Sequence, residues 1–175
     1  MKKPYEKKLF KMHLSLEPLV KQELNKLLST HIIFPVRHCK WVANLVPVRK
    51  NNEDIQLCID FHNFNKASEK EKYHVPPMEQ ILQQVSGSEM FSLLYGFLGY
   101  NQILVVNNDQ LQTTFKTPWG NYAYMTMPFR LINVGATFQR AMDIAFHGLI
   151  NQCVVVYLDD VTMYSKKIID HVKHL

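Results

Sequence analysis

The chain has 175 residues, of which 47% are hydrophobic, and its formal net charge is +5 at pH 7. This length allows one good core, or two small subdomains that share one, and it excludes a large multidomain enzyme. The basic balance fits a negatively charged partner without deciding which one. The longest apolar run, Cys153 to Leu158, is far shorter than the roughly 20 residues that cross a bilayer, so we predict no membrane segment.

Residues 1–14 form a basic arm, which we expect to be a solvated terminus. No apolar stretch of signal-peptide length follows it, so we predict an intracellular protein, cytoplasmic or nuclear, that is not secreted. The three cysteines, Cys39, Cys58 and Cys153, are widely spaced and include no Cys-x-x-Cys pair. We therefore expect reduced thiols and no disulfide-linked partner.

The first predicted element is an amphipathic helix that begins after Ser15, the expected N-cap. Its apolar face is formed by Leu16, Val20, Leu24, Leu27 and Leu28. Two β-branched and apolar stretches, Trp41 to Val48 and Ile55 to Phe61, then predict a hairpin with a polar tip. A second helix is predicted from Val75 to Val85, because apolar residues again repeat at helical spacing.

The middle of the chain is predicted to be mostly β structure. It contains a strand from about Met90 to Tyr95, an apolar stretch from Ile103 to Val106, and a hairpin that turns at Pro118 to Asn121.

The last third predicts a helix that begins near Asn133, followed by a β-hairpin. The strand from Cys153 to Leu158 ends in Asp159 and Asp160, and Val161 to Tyr164 can fold back beside it. Strands that alternate with helices and close on a hairpin predict an α+β fold, a sheet with helices on one face.

Asp159 and Asp160 are the residues that suggest chemistry. Two adjacent carboxylates in a turn between rigid strands are a natural half of a Mg²⁺ site, because this ion prefers oxygen ligands in near-octahedral geometry. A simple polar turn is the alternative, and on these two residues alone it is the more common case. A second half of the site must come from elsewhere in the chain.

The segment Tyr157-Leu158-Asp159-Asp160 resembles the YxDD motif of reverse transcriptases. Further motifs match in the same order over residues 16–175, namely Trp41-Val42, Leu45-Val46-Pro47, Cys58-Ile59-Asp60-Phe61 with Asn65, Gly99-Tyr100-Asn101-Gln102-Ile103, Thr113-Thr114-Phe115, Met127-Pro128-Phe129 and Gly135-Ala136-Thr137-Phe138-Gln139-Arg140. Together they are similar to the reverse transcriptases of gypsy-type LTR retrotransposons, and the last motif resembles plant elements.

This resemblance implies a fingers and palm arrangement in which the palm is an antiparallel sheet backed by helices. Residues 15–88 would form a fingers-like region and residues 89–175 a palm-like region that ends before a thumb. The implied partners are an RNA or DNA template-primer, deoxynucleoside triphosphates and other products of the retrotransposon polyprotein. The implied cofactors are two Mg²⁺ ions, which in such sites lie about 3.5–4 Å apart.

The resemblance assigns Asp159 as a metal ligand and Asp160 as its acidic neighbour. Another Asp is expected on a preceding strand, and this chain has Tyr95 there. A phenol with a pKa near 10 is a poor Mg²⁺ ligand at neutral pH. Glu89 and Asp109, the nearest carboxylates in sequence, are not placed to replace it. We therefore predict that nucleotidyl transfer is impaired.

The resemblance also predicts a nucleotide pocket from Arg49, Lys50, Gln56, Tyr100, Phe129 and Arg130. Gln56 replaces an Arg of the fingers hairpin, and the loss of this charge-assisted contact should weaken nucleotide binding. Arg130 replaces a Gly at a close approach of backbone to nucleotide. His62 replaces another Arg. Tyr100 matches the aromatic that tests the sugar 2′ position, and Phe129 matches the pocket floor.

Two alternative hypotheses remain. The chain can be a non-catalytic, nucleic-acid-binding remnant of such a domain, or an unrelated α+β protein with a polar turn. His171 and His174, with Asp170 nearby, are also residue types that can bind zinc. No partner ligands stand at metal spacing, so we expect a solvated helix there.

Overall fold

The computed structural model describes residues 12–49, 54–95, 99–158 and 160–174, with the backbone alone at Tyr95. In these residues the strands are β1 (Ile33–Val36), β2 (Ala43–Arg49), β3 (Ile55–Asp60), β4 (Met90–Tyr95), β5 (Phe115–Thr117), β6 (Gly120–Tyr124), β7 (Val154–Tyr157) and β8 (Asp160–Ser165). The helices are α1 (Glu17–Ser29), α2 (His62–Ala67), α3 (Met78–Val85), α4 (Asn107–Gln110), α5 (Val134–Ala145) and α6 (Ile168–His174).

The described residues divide into two compact units, each drawn from two stretches of chain. The first comes from Met1–Glu69 and Tyr100–Ile132, and the second from Lys70–Gly99 and Asn133–Leu175. The division into a fingers-like region before residue 89 and a palm-like region after it stays a prediction. No helix in the described part of the chain has the length and apolar character needed to cross a membrane.

The first unit is built on a five-stranded sheet in the order β1-β6-β5-β2-β3. Strands β2 and β3 form the predicted antiparallel hairpin, with Leu45 opposite Ile59, and β2 also pairs in parallel with β5. Val20 and Leu24 on the apolar face of α1 are buried in one core with Phe115. Burial of each such aliphatic side chain stabilises the fold by about 1.5–3 kcal/mol. The tip of the hairpin, residues 50–53, lies outside the described residues.

The second unit is built on a three-stranded antiparallel sheet in the order β4-β8-β7. Alternate residues of β7 meet different helices, because successive side chains of a strand point to opposite faces. Val154 and Val156 pack with Met142 of α5, whereas Val155 packs with Ile81 of α3. The α+β class is confirmed, but this sheet carries helices on both faces, where the sequence predicted one.

The predicted start of the first helix is wrong in its cap. Helix α1 has Leu16 as N-cap with no side-chain hydrogen bond, and Pro18 lies in its first turn. Ser15 instead belongs to a preceding 3-10 turn, where its hydroxyl is 2.7 Å from Nδ1 of His13. The helix therefore begins through proline and the turn before it.

The apolar stretch from Ile103 to Val106 forms less β structure than the sequence predicted for the middle of the chain. This stretch lies between short helical turns, and its one ladder contact in the described residues is an isolated bridge between Leu104 and Thr126. Leu104 is 71% exposed. Ile103 and Val105 are half-buried and exchange backbone hydrogen bonds with Met127 and Met125, but helical turns on both sides end the pairing after one bridge.

Candidate active site

The predicted catalytic hairpin lies at one end of the sheet of the second unit. Tyr157 ends β7, Leu158 occupies the turn and Asp160 begins β8, while Asp159 lies outside the described residues. Leu158 has a φ of +55°, in the left-handed region that is unfavourable for a residue with a side chain. Strained backbone of this kind is concentrated at functional turns, so this turn is a candidate functional element.

Strand β4 brings position 95 to the same end of the sheet. In the antiparallel register of β4 and β8, the Cα of Tyr95 is opposite the Cα of Asp160. On the other side of β8, Tyr157 is opposite Asp160. The backbones of these three residues therefore form one row across the sheet, and the Asp160 side chain is exposed to solvent.

One carboxylate of this row, that of Asp160, has a described position. Two-metal catalysis needs carboxylate oxygens that the ions share, and position 95 of the row is a tyrosine. Glu89 precedes the opposite end of β4 and accepts a hydrogen bond from the Ile168 N–H at 3.0 Å. Asp109 belongs to the other unit. Among the residues with described positions, no three His, Cys, Asp or Glu side chains are grouped as metal ligands.

Two of the predicted nucleotide-binding residues are in direct contact within the first unit. The rings of Tyr100 and Phe129 meet edge to face, with centroids 4.9 Å apart and an interplanar angle of 81°. Such a pair contributes about 0.5–1.5 kcal/mol beyond the area it buries. Tyr100 is 8% exposed, whereas Phe129 is 49% exposed. The buried ring thus fixes the exposed one, which remains accessible to a ligand.

The other predicted pocket residues lie on the β2–β3 hairpin. Arg49 is opposite Ile55 and Gln56 is opposite Val48, so Arg49 and Gln56 lie one position apart across the hairpin. Both side chains are exposed. Lys50 lies outside the described residues.

Asn65, which the sequence marks only as part of a motif, orders the loop that follows Phe129. Its Nδ2 donates to the backbone carbonyl of Arg130 at 2.7 Å, and its Oδ1 accepts from the Ile132 N–H at 3.0 Å. Arg130 has a φ of +74°, a conformation that glycine adopts without steric cost. The backbone thus has the form that suits the Gly expected at this position by resemblance. The pairing of an Asn with a distant loop leaves no local sequence signal.

Solved structures define the fold class as that of a reverse transcriptase. The foamy viral protease-reverse transcriptase in complex with dsDNA superposes with a TM-score of 0.86 at 16% identity, over 99% of this chain and 36% of that chain. The same protein in complex with an RNA/DNA hybrid gives a TM-score of 0.85 at 16% identity, over 98% of this chain and 23% of that chain. The predicted fingers and palm fold is therefore confirmed.

Residues 7–175 match the family described as reverse transcriptase (RNA-dependent DNA polymerase). The chain belongs to this family. It is 32% identical over 161 residues to the Retrovirus-related Pol polyprotein from transposon gypsy of Drosophila melanogaster, which covers 89% of this chain and 16% of the polyprotein. It is 33% identical over 124 residues to an RNA-directed DNA polymerase homolog of Oenothera berteroana, which covers 69% of this chain and 87% of that protein.

These relatives confirm the predicted similarity to gypsy-type retrotransposons and to a plant protein. The chain corresponds to the reverse transcriptase domain of retrotransposon Pol polyproteins. It spans only a small part of those polyproteins, 15% of the one from transposon 297 of Drosophila melanogaster, for example, to which it is 29% identical.

Proposed function

We propose that this reverse transcriptase domain binds template-primer and that its nucleotidyl transfer is impaired by Tyr95. The observation that carries the proposal is the backbone pairing of Tyr95 with Asp160. Directly opposed residues of antiparallel strands present their side chains to the same face. An aspartate at position 95 would therefore share a face with the acidic hairpin.

The chemistry of the family explains why this position matters. Reverse transcriptases generally depend on two metal ions, which activate the primer 3′-hydroxyl and hold the triphosphate when bound. A carboxylate offers anionic oxygens at neutral pH, whereas a phenol with an ordinary pKa near 10 stays protonated and neutral. Replacement of the acid by tyrosine removes a negative charge where two divalent cations would need it.

Binding of nucleic acid is supported independently of this site. The net charge is +5, and a basic protein attracts the phosphate backbone without regard to sequence. The foamy viral enzyme, which shares the fold, has been solved in complex with dsDNA and with an RNA/DNA hybrid. A domain with a damaged metal site and an intact fold should keep this binding.

Nucleotide recognition is proposed for the first unit. The exposed ring of Phe129, fixed by Tyr100, would form the pocket floor, and Arg49 would supply positive charge for the triphosphate. Gln56 is exposed but is neutral, so it cannot form the charge-assisted contact of an arginine. We therefore expect weak binding of deoxynucleoside triphosphates.

An intracellular setting and protein partners from a retrotransposon polyprotein are also proposed. None of the three cysteines, all of them described, forms a disulfide, which suits a reducing, intracellular compartment. Pol polyproteins of retrotransposons are the similar proteins, so other products of such a polyprotein are the proposed protein partners.

Primer extension tests the role of position 95. The chain, the variant Tyr95→Asp and the matched control Tyr95→Asn are each given oligo(dT) primer on poly(rA) template with Mg²⁺. We expect Tyr95→Asp to extend primer about a hundredfold faster than the other two, because only Asp restores the anionic oxygens. Adding Asp159→Asn to Tyr95→Asp should abolish the gain. Equal and substantial activity of the original chain and Tyr95→Asp would overturn the assignment.

Fluorescence anisotropy with labelled template-primer tests the binding half of the proposal. All three chains should bind with similar affinity, and log affinity should fall linearly with log salt concentration, because phosphate contacts release counterions. Binding that does not respond to salt would contradict the proposal.

A further inference from the structure

The buried side chain of Gln139 connects helix α5 to strand β7. Its Nε2 donates to the Asp143 Oδ1 at 3.1 Å and lies 3.5 Å from the backbone carbonyl of Val156, at the long end of the hydrogen-bond range. Gln139 is 2% exposed. Val156 immediately precedes Tyr157, the first residue of the acidic hairpin motif.

The orientation of this amide is fixed by its partners. Both groups near Nε2 are acceptors, so the NH₂ end of the side chain must point toward them. Oε1 is buried and has no hydrogen-bond partner among the described residues. Buried acceptors are rarely left in this state without another constraint. The Asp143 carboxylate is that constraint, because it holds the NH₂ end on the side of Val156.

Asp143 is in turn held by a segment that has no regular secondary structure. The Tyr73 hydroxyl donates to Asp143 Oδ2 at 2.5 Å. Tyr73 lies in residues 70–77, which precede α3 and which we call the strap. The guanidinium of Arg140 lies over the Tyr73 ring, 5.1 Å from its centroid. Arg140 also forms a salt bridge with Glu71.

The strap is thus attached to one face of α5 at several points. The backbone N–H of Glu71 also donates to Oδ1 of Asn133, at the start of α5, at 2.9 Å. These contacts place the Tyr73 hydroxyl on the carboxylate of Asp143 rather than in solvent. A chain of polar contacts therefore runs from the strap through Tyr73, Asp143 and Gln139 to the backbone of β7.

We propose that Tyr73 and Asp143 are positioning residues for the acidic hairpin. They hold the Gln139 amide against the Val156 carbonyl and so fix the end of β7 from which the Tyr157 to Asp160 turn departs. The functional meaning of that hairpin rests on the function proposed above. The mechanical claim, that the strap limits motion of the hairpin, does not.

Apolar packing alone is the competing explanation. Met142 and Phe146 of α5 already pack against the valines of β7. If these contacts suffice, loss of the Asp143 carboxylate leaves the hairpin as it is. The two explanations differ in what Asp143→Ala does, since only the polar chain would be lost, and Asp143→Asn is the matched control. An asparagine can accept from Gln139 through Oδ1 and donate to the Tyr73 hydroxyl through Nδ2, so it restores the polar chain without the charge.

Hydrogen exchange followed by mass spectrometry separates the two explanations. The full chain is compared with Asp143→Ala, Asp143→Asn, Tyr73→Phe and the control Asp170→Ala, whose partly exposed carboxylate pairs with Lys173 in α6. We expect Asp143→Ala to speed exchange in residues 154–162 about tenfold. The variant loses the hydrogen bonds of Asp143 to Gln139 and Tyr73, so local opening costs less free energy. Asp143→Asn and Asp170→Ala should stay within about twofold of the original chain.

Exchange in the β5–β6 hairpin of the first unit serves as an internal reference. If Asp143→Ala raises exchange there as well, the variant is globally destabilised, and Tyr73→Phe decides instead. It should raise exchange in residues 154–162 about threefold and leave β5–β6 unchanged. Equal exchange in Asp143→Ala and Asp170→Ala, or Asp143→Asn as fast as Asp143→Ala, would overturn the proposal.

A kinetic readout links the strap to the reaction. In the Tyr95→Asp background, Asp143→Ala should lower kcat and leave KM for template-primer unchanged, because Asp143 acts through Gln139 on the backbone of β7 and not on the substrate. Asp143→Asn should restore kcat, and a rise in KM with unchanged kcat would contradict the positioning role. If Tyr95→Asp shows no activity at all, the function proposed for position 95 fails. The hydrogen-exchange result still decides the role of the strap.

Discussion

The side chain of Asn65 donates a hydrogen bond of 2.7 Å to the carbonyl of Arg130, a residue 65 positions later whose φ is +74°. The same amide accepts from Ile132. An asparagine that follows the β2–β3 hairpin thereby closes the loop next to Phe129. The loop depends on Asn65 because its residues have no strand or helix partner of their own.

Asn65→Ala should therefore destabilise the chain by about 1–2 kcal/mol, because the carbonyl of Arg130 and the N–H of Ile132 both lose their partner. The free energy of unfolding in urea measures this loss. Asn65→Asp is the matched variant, since it keeps the acceptor for Ile132 but sets an acceptor-only carboxylate oxygen against the Arg130 carbonyl. It should cost at least as much as the alanine, and a clearly smaller cost would contradict the hydrogen bond to Arg130.

Arg130→Gly should stabilise the chain by about 0.5 kcal/mol. Relief of the left-handed backbone is worth roughly 1–2 kcal/mol, and the extra freedom of glycine in the unfolded chain offsets about 0.5–1 kcal/mol of it. Arg49→Gly, at the exposed end of β2, should instead destabilise, because a strand position offers no strain to relieve. A loss of stability in both variants, measured by urea unfolding, would show that Arg130 is not strained.

The sequence predicted those elements whose pattern repeats locally. The alternation around Leu45 and Ile59 predicted the β2–β3 hairpin, and the apolar stretch at Met90 to Tyr95 predicted β4, with the bounds that the structure shows. Motif order predicted the family. Local pattern also explains why too much β structure was predicted near Leu104. That residue lies in an apolar run, yet it is exposed in the structure.

The contacts that order the candidate site join residues that are far apart in sequence. Asn65 with Arg130, and Tyr73 with Asp143, are separated by 65 and 70 positions. No periodicity reports such pairs. Gly99 is a similar case: the sequence shows it only as part of a motif, whereas a Cβ there would lie 2.9 Å from Cε2 of Phe138. The need for glycine is steric and becomes visible only in three dimensions.

The phenol of Tyr73 should make stability depend on alkaline pH. Its hydrogen bond to Asp143 raises the pKa of Tyr73 above the ordinary value of 10.0, and partial burial adds to the shift. A group whose pKa is raised by folding stabilises the fold fully below its unfolded pKa. That contribution is lost as pH rises through the folded pKa. The stability that Tyr73 contributes should therefore begin to fall at about pH 10 and continue to fall at higher pH.

Tyr73→Phe removes this group and should flatten the fall of the urea midpoint above about pH 10. Tyr164 needs a separate control, because burial raises the pKa of that phenol too. Tyr73→Phe and Tyr164→Phe should each remove part of the loss of stability at alkaline pH. An unchanged alkaline profile in Tyr73→Phe would show that the hydrogen bond to Asp143 does not stabilise the protonated phenol.

His171 is buried in the second unit, with 2% of its surface exposed. The sequence predicted a solvated helix there, and that expectation is wrong. Its Nε2 lies 2.8 Å from Oγ of Ser92 on β4, and its Nδ1 lies 2.9 Å from Oγ of Ser165 on β8. The imidazole therefore joins α6 to two strands of the sheet. His174 is also bound, with its Nδ1 2.6 Å from Oγ of Ser165.

His171→Phe should destabilise the chain by about 1–3 kcal/mol, because the Ser92 hydroxyl loses its histidine partner and that of Ser165 keeps only His174. His147→Phe, at an exposed position of the same unit, should change stability by less than about 0.5 kcal/mol. Adding Ser92→Ala to His171→Phe should recover part of the loss, since it removes the orphaned hydroxyl. Strictly additive losses in the double variant would mean that His171 acts by packing alone, because residues that share a hydrogen bond are not independent.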